Sequence, residues 1–255
     1  MDGVIFQRTY PLGDDYDGIK HRAAEYLGKW LGYPNLYRFD DTNRSITFSS
    51  ERLIPPHSTN RPRVMLLFSN PHPHSVYQGM FLSPNSNGRG SDFWPLMADS
   101  SWLPIPGENR YPKQLADICL NAKYPGPFDL IFFCYYPFST RYPDDIRKIF
   151  GIEYFREVIE PEASEEFRKN IFETSAAAVV TFNKEIFNIV SKAQVERTID
   201  TLRQGEIIRS QIKGIARDIP IYLTFPTGWR YHKEYKQLRK VSLEKIRKDI
   251  EKKIL

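Results

Sequence analysis

A polar cluster that directly follows an apolar run contains the residues of this sequence best suited to chemistry. The run Val64–Phe68 leads to Asn70, and His72 and His74 follow two residues apart. A side-chain amide can donate and accept hydrogen bonds at once, whereas two imidazoles at this spacing are a known metal-ligand arrangement. The segment therefore indicates a metal site, a strand-ending turn, or a pocket in which Asn70 is the principal residue.

Few other residues support the metal interpretation. The chain contains five histidines and two cysteines, Cys119 and Cys134. Two cysteines cannot supply the four thiolates of an iron–sulfur cluster or a structural zinc, so we expect both to be buried free thiols. We predict no metal and no other cofactor. A metal-dependent hydrolase that uses His72 and His74 remains an alternative.

Four short apolar runs, bounded by Pro, Asn or Gly, are typical of buried strands. They are Val64–Ser69, Leu130–Tyr135, Ala177–Phe182 and Ile219–Thr224. Helical patterns alternate with them, at Lys113–Ala122, Glu165–Ser175, Lys184–Lys192 and Val195–Lys213. This alternation predicts an α/β fold, a three-layer sandwich with a central, mostly parallel four-stranded sheet flanked by helices.

We predict a single domain over residues 1–255, with residues 1–60 as an N-terminal layer that contains a helix at Ile19–Leu31. No run of about 18 apolar residues is present, and the first residues lack the pattern of a secretory signal. We therefore expect a protein without a membrane partner, located in the cytoplasm or nucleoid. We also expect it to be a monomer.

The charge distribution leaves two interpretations open. The net charge is +5, and residues 229–255 contain ten Lys and Arg against four Asp and Glu. This basic segment is either a solvated helix face with Glu–Lys pairs or a cationic face near phosphates. The apolar residues Val241, Leu243, Ile246 and Ile250 recur at roughly helical spacing, which predicts that one side of this helix is buried.

Ligands of α/β sheets bind at the carboxyl ends of the strands, where this sequence places polar and aromatic side chains. Here the chain resembles the uracil-DNA glycosylase superfamily, closest to its mismatch-specific uracil/thymine-DNA glycosylase branch. The first motif is matched by Ser69-Asn70-Pro71-His72, Ser75, Gly79-Met80-Phe81-Leu82 and Ser91-Asp92-Phe93-Trp94. Pro226-Thr227-Gly228-Trp229 is similar to the second motif, and Val179–Phe187 to the strand-to-helix turn between the two.

The resemblance implies a DNA glycosylase of base excision repair, which flips a deaminated or damaged base, such as uracil, out of DNA and hydrolyses its N-glycosidic bond. Asn70 corresponds to the water-positioning catalytic residue, and the backbone N–H groups after it would bind the developing base anion. The base pocket would consist of Ser69, Pro71, His72, Phe81, Leu82, Tyr136 and Phe225. The DNA contacts would be Ser75, Thr227, Gly228, Trp229, Arg230, His232 and Lys233, with Trp229 as the wedge that fills the duplex.

The sequence departs from the superfamily at three positions. Leu82 stands where relatives have a base-stacking Phe, although Phe81 is adjacent. Cys134 and Phe225 stand where several branches have polar base-reading residues. These departures leave the excised base open. They also leave the alternative of a glycosylase-like DNA- or nucleotide-binding protein without catalysis.

Overall fold

A mixed β-sheet with helices packed against it organises the chain in a computed structural model. The structure describes residues 3–83, 91–105, 111–196, 198–227 and 232–254, with the backbone alone at 198–199 and 232–235. The strands are β1 Ile5–Pro11, β2 Tyr37–Asp40, β3 Ser45–Leu53, β4 Arg63–Phe68, β5 Asp129–Cys134, β6 Ala178–Thr181, β7 Ile208–Gln211 and β8 Pro220–Leu223. The helices are α1 Tyr16–Leu27, α2 Pro73–Gln78, α3 Phe93–Asp99, α4 Pro112–Leu120, α5 Asp144–Phe150, α6 Ile152–Tyr154, α7 Glu160–Thr174, α8 Lys184–Val190, α9 Thr198–Arg203 and α10 His232–Ile254.

The four apolar runs of the sequence form the parallel part of the sheet. The strand order is β1-β3-β5-β4-β6-β8-β7, with β2 paired to β3. β4 pairs in parallel with β5 on one side and β6 on the other, and β8 extends the parallel part beyond β6. The predicted α/β class is confirmed.

The predicted number of strands is wrong, because the described residues form eight. β1, β2 and β3 add an antiparallel edge beside β5, and β7 adds one beside β8. These strands mix polar and apolar residues, as in IFQRTYP of β1. The inner strands were predicted from continuous apolar runs. Strands at the edge of a sheet, with polar residues among the apolar ones, lack such runs, so the same criterion missed them.

Alternation along the inner strands divides the core between the two faces of the sheet. In β4, Met65 and Leu67 belong to the core that also contains the buried residues of α1, α5 and α7. Leu66 and Phe68 belong to the opposite core, with those of α3, α4 and α10. Helices therefore cover both faces.

One predicted helix is largely wrong. The helix was predicted over Val195–Lys213, but the described residues of this stretch contain only the short helix α9 and then the edge strand β7. Gly205 lies between them with a positive φ of 75°. Glycine adopts this left-handed conformation without strain, so the chain turns there and pairs with β8 instead of extending the helix.

The described part of the basic C-terminal segment contains the acid–base pairs that the solvated alternative predicts, and the cationic alternative stays open. Along α10, the ion pairs Lys240–Glu244, Arg247–Glu251 and Asp249–Lys253 are all spaced by four residues. Leu243, Ile246 and Ile250 are buried as predicted, whereas Val241 is half-buried. Among the described residues no helix, α10 included, has the length and apolar character needed to cross a membrane.

A buried ion pair joins the segments that lead into β4 and β5. The Asp129 side chain is fully buried, and its Oδ1 accepts from Nε and Nη2 of Arg61, each at 2.8 Å. Arg61 also donates to the carbonyl oxygens of Ala122 and Tyr124, at 2.9 and 2.7 Å. One guanidinium thus holds the loop before β5 against the segment before β4, which fixes the starts of two adjacent strands.

Candidate active site

A pocket of about 590 Å³ opens at the carboxyl ends of the parallel strands. Phe68 ends β4, Cys134 ends β5, and Phe182 directly follows β6, and all three line the pocket. After β4 the chain goes to β5 on one side of it, and after β5 it crosses to β6 on the other side. Such a switch point is the usual ligand site of an open α/β sheet, and the volume is typical of a ligand pocket.

The pocket combines an apolar part with many hydrogen-bonding groups. Its apolar lining residues are Phe68, Phe81, Leu82, Cys134, Pro143, Phe182 and Pro226. Its polar and charged lining residues are Glu51, Ser69, Asn70, His72, His74, Ser75, Ser83, Ser91, Thr140, Arg141, Tyr142, Asn183 and Thr227. Aromatic side chains together with donors and acceptors suit a flat heterocycle that carries polar groups on its edge.

The amide of Asn70 is fixed by hydrogen bonds to its surroundings. Its Nδ2 lies 3.0 Å from the carbonyl oxygens of Pro71 and Thr140, and 2.9 Å from Oγ1 of Thr140. Carbonyl oxygens only accept, so these contacts determine which end of the amide is nitrogen and occupy its N–H donors. Oδ1 accepts from the Ser69 hydroxyl at 3.1 Å and has a second lone pair for a ligand. Asn70 therefore offers an acceptor, not the combined donor and acceptor expected from the sequence.

The turn after Asn70 offers few donors to an anion. Pro71 and Pro73 have no N–H, and the N–H of His74 donates to Nδ1 of His72 at 3.2 Å. Three of the first four residues after Asn70 are thus unable to bind an anion through the backbone. The expected backbone anion site stays a prediction, with fewer N–H donors close to Asn70 than the sequence comparison implies.

The same turn argues against the metal alternative. Nδ1 of His72 is occupied as the helix cap of α2, because it accepts from a backbone N–H there. Within the described ranges, no group of three or more His, Cys, Asp or Glu is arranged to hold a metal ion. Both cysteines are free and buried, as predicted, and Cys134 contributes to the pocket as an apolar wall.

Most of the predicted site residues that the structure describes meet at this pocket. Ser69, Asn70, His72, Phe81 and Leu82 line it, and so do Ser75 and Thr227, which were predicted as DNA contacts. Pro71 is buried beside the pocket, and its carbonyl oxygen accepts from Asn70. Gly228, Trp229 and Arg230 lie outside the described residues. His232 and Lys233 begin α10, and their side chains are also outside the described part.

Two predicted pocket residues, Tyr136 and Phe225, belong instead to the core on the opposite face of the sheet. The ring of Tyr136 packs 5.3 Å from that of Phe155. β5 ends at Cys134, so the alternation that would direct residue 136 toward the pocket does not continue. Phe225 shares its core with Leu223, two residues earlier.

The Tyr136→Phe variant tests the placement of Tyr136. Its hydroxyl is buried and has no hydrogen-bond partner among the described residues. Removing an unsatisfied polar group costs no interaction, so we expect the free energy of unfolding to stay the same or rise, and any ligand binding to be unchanged. Denaturant unfolding and binding assays measure both, and a selective loss of binding would return Tyr136 to the pocket.

The most informative pocket residue that sequence reasoning missed is Glu51. It lies on β3, is only 3 % exposed, and its Oε2 has no partner within the described chain. Burial raises the pKa of this carboxyl well above its ordinary value. Glu51 reaches the site because β3 pairs with β5, a neighbour that no local pattern announces. Phe182 could have been predicted as a pocket residue, because it is the last residue of the third apolar run.

The aromatic residues of the pocket are firmly placed. Phe68 stacks on Phe182 with ring centroids 5.3 Å apart and planes within 8°. Phe81 lies 5.6 Å from both Phe68 and Phe132. Leu82 has a positive φ of 47°, and its carbonyl oxygen accepts from the indole of Trp94 at 3.1 Å. The loop that carries Phe81 and Leu82 is therefore anchored to α3.

Comparison with known proteins leaves this site as the main guide to function. No protein-family model matches the chain, and no curated protein matches it. The resemblance to the uracil-DNA glycosylase superfamily thus depends on its ordered motifs, which the structure brings to one pocket at Asn70, Phe81 and Asn183.

Proposed function

We propose that this chain is a DNA glycosylase of the uracil-DNA glycosylase type, which hydrolyses the N-glycosidic bond of a flipped deaminated or damaged base. The observation that carries the proposal is the fixed amide of Asn70 at the switch-point pocket, with its N–H groups occupied and Oδ1 able to accept. A fixed acceptor beside an aromatic pocket suits an enzyme that must place a water molecule next to a sugar.

The aromatic part of the pocket would bind the base. Phe68, Phe81 and Phe182 all contribute to the lining, and a flipped base needs such surfaces to replace the stacking it loses in the duplex. Leu82, from the loop after α2, lines the same pocket and would contact the base as well. The base would thus lie among side chains that are already packed.

The amide of Asn70 would orient the attacking water. Oδ1 accepts one O–H of the water, which directs a lone pair of the water oxygen toward the anomeric carbon. An amide is too weak a base to remove the proton before attack. This fits a reaction in which the bond to the base is largely broken first and the sugar has oxocarbenium character.

The outer part of the pocket would contact the DNA backbone. Arg141 lines the pocket and is exposed, and Thr227, which is half-buried, lies in the same lining. Ser75 lines the pocket too, but it is buried. Together with the net charge of +5, these groups favour a polyanionic ligand. We therefore expect DNA binding that weakens as the salt concentration rises.

A panel of oligonucleotides tests the proposed function. Strands that carry one uracil, hypoxanthine or xanthine, single-stranded and in duplex, are incubated with excess protein, and the released base is quantified by chromatography. We expect the free base and an abasic site from at least one of them, and none from an unmodified strand. Failure to release any base while salt-dependent binding persists would contradict the enzyme and favour the binding protein. Absence of both would contradict the proposal as a whole.

A further inference from the structure

The Glu51 carboxyl is a buried acid without a hydrogen-bonding partner for its Oε2 in the described part of the protein. The residue is 3 % exposed and lines the pocket. An isolated carboxyl in such surroundings stays neutral, because the charged form is far more costly to bury. A neutral carboxylic acid carries one O–H donor, which nothing described around Oε2 uses.

The two arginines that share a crevice with Glu51 are engaged by another carboxylate. Arg8 and Arg52, which share a small crevice with Glu51, both pair with Glu166, at 3.1 and 2.9 Å. Burial is the cause of the raised pKa of Glu51. The other titratable or charged residues that line the pocket are His72, His74, Cys134, Arg141 and Tyr142.

We propose that Glu51 is a catalytic acid that donates its proton to the departing base, an inference that rests on the proposed glycosylase function. The geometry supports this in two ways. Glu51, whose Oε2 has no partner in the described chain, and Asn70 line one pocket, and the turn after Asn70 has lost the N–H groups of Pro71, Pro73 and His74 as donors to a base anion. Glu51 would add a donor where the backbone offers few.

The step balances as an acid-assisted hydrolysis. The bond between the anomeric carbon and the base nitrogen breaks, and its electron pair stays on the base. The base takes the proton of Glu51 on a carbonyl oxygen or ring nitrogen, which leaves a carboxylate. Water adds its oxygen to the anomeric carbon and releases a proton to solvent, and Glu51 regains a proton from solvent. Net, one water is consumed and one neutral base is released.

A neutral Glu51 favours bases that carry a carbonyl acceptor. The O–H of Glu51 needs an acceptor on the base. Deamination replaces an amino donor with a carbonyl acceptor, so bases such as uracil, hypoxanthine and xanthine gain the group that a neutral acid binds. Negative charge that develops on this oxygen strengthens the hydrogen bond as the bond to the sugar breaks.

The variants Glu51→Gln and Glu51→Leu test the role without endangering the fold. Neither breaks a hydrogen bond of Oε2, and both remove a group that would ionise in the unfolded chain. The folded pKa is raised, so the acid lowers stability above the ordinary pKa of Glu. We therefore expect both variants to be at least as stable as the wild type at pH 7, with the difference shrinking as the pH falls below about 4. Glu251→Gln is the matched control, because it weakens an ion pair with Arg247 on α10 and does not line the pocket, so it should lower stability slightly but not base release.

The expected kinetic result is a loss that depends on the leaving base. For uracil, Glu51→Gln and Glu51→Leu should lower single-turnover release about 100-fold. For 5-fluorouracil, a more acidic base that leaves without help, the loss should be below about tenfold. Wild-type activity should fall at high pH, because Glu51 can donate only while it is protonated. This fall at high pH, the alkaline limb of the pH profile, should be absent in Glu51→Gln. It should remain in His72→Gln and His74→Gln.

Four results would overturn the inference. Unchanged uracil release in both Glu51 variants would remove the acid role and leave the glycosylase function standing. Equal losses for uracil and 5-fluorouracil would assign Glu51 to binding alone. An alkaline limb that persists in Glu51→Gln, or that a histidine variant removes, would assign the titration to another group. No release by the wild type from any base of the panel would overturn the proposed function itself.

Discussion

Replacing Asn70 with alanine is expected to lower base release about 100-fold, since misplacing a reacting group by about 1 Å has an effect of this size. The variant loses Oδ1, the acceptor that would orient water, and also the contacts of Nδ2 to Pro71 and Thr140. Single-turnover kinetics on the best substrate of the panel measure the effect. DNA binding, measured by fluorescence anisotropy, should change little, because Arg141 and Thr227, the proposed contacts to the DNA backbone, remain in place.

The matched control is Asn188→Ala. Asn188 is also half-buried, donates to the carbonyl oxygen of Val195 at 3.2 Å, and accepts from the Val195 N–H at 2.9 Å. It holds a loop in the same manner but does not line the pocket. If Asn188→Ala reduced base release as much as Asn70→Ala does, the loss would reflect general loosening of the fold, and Asn70 would lose its assigned role.

Replacing Arg61 with alanine is expected to lower the free energy of unfolding by about 3–5 kcal/mol, the usual effect of leaving a buried charge without its partner. Asp129 would keep only its hydrogen bonds to Thr59, from the backbone N–H at 2.9 Å and from Oγ1. The carbonyl oxygens of Ala122 and Tyr124 would lose a donor as well. Urea unfolding with an unchanged m-value would measure the loss as a change in stability.

Two further variants make this prediction specific. Lys240→Ala removes a solvent-facing ion pair with Glu244 and should cost less than about 1 kcal/mol. Combining Arg61→Ala with Asp129→Asn removes both charges and should recover part of the loss, which a double-mutant cycle with the two single variants quantifies. Similar effects for Arg61→Ala and Lys240→Ala would show that the Arg61–Asp129 pair does not hold the two strands together.

A comparison of stability with activity separates Glu51 from these residues. Asn70 and Arg61 make hydrogen bonds that hold the fold, so their loss weakens it. Glu51 has an orphan oxygen in the pocket wall, so its loss should strengthen the fold while it weakens catalysis. A residue that lowers stability but is needed for turnover is the expected signature of a functional site.

The inner sheet and Asn70 were predictable because their signals are local. A strand buried on both faces must be apolar along its whole length, which marks β4, β5, β6 and β8 in the sequence. A polar residue directly after such a strand must lie at the edge of the sheet, and this places Asn70 at a ligand site.

The sequence by itself determined the α/β class, the inner strands and the position of Asn70 just after β4, where the structure has a pocket. Only the tertiary structure decided which side chains share that site. Cys134 and Tyr136 are two residues apart, yet they lie on opposite faces because β5 ends between them. Glu51 enters the pocket through pairing between β3 and β5, which are separated by more than 70 residues. Such pairing depends on the packing of the whole sheet, and no local pattern of residues encodes it.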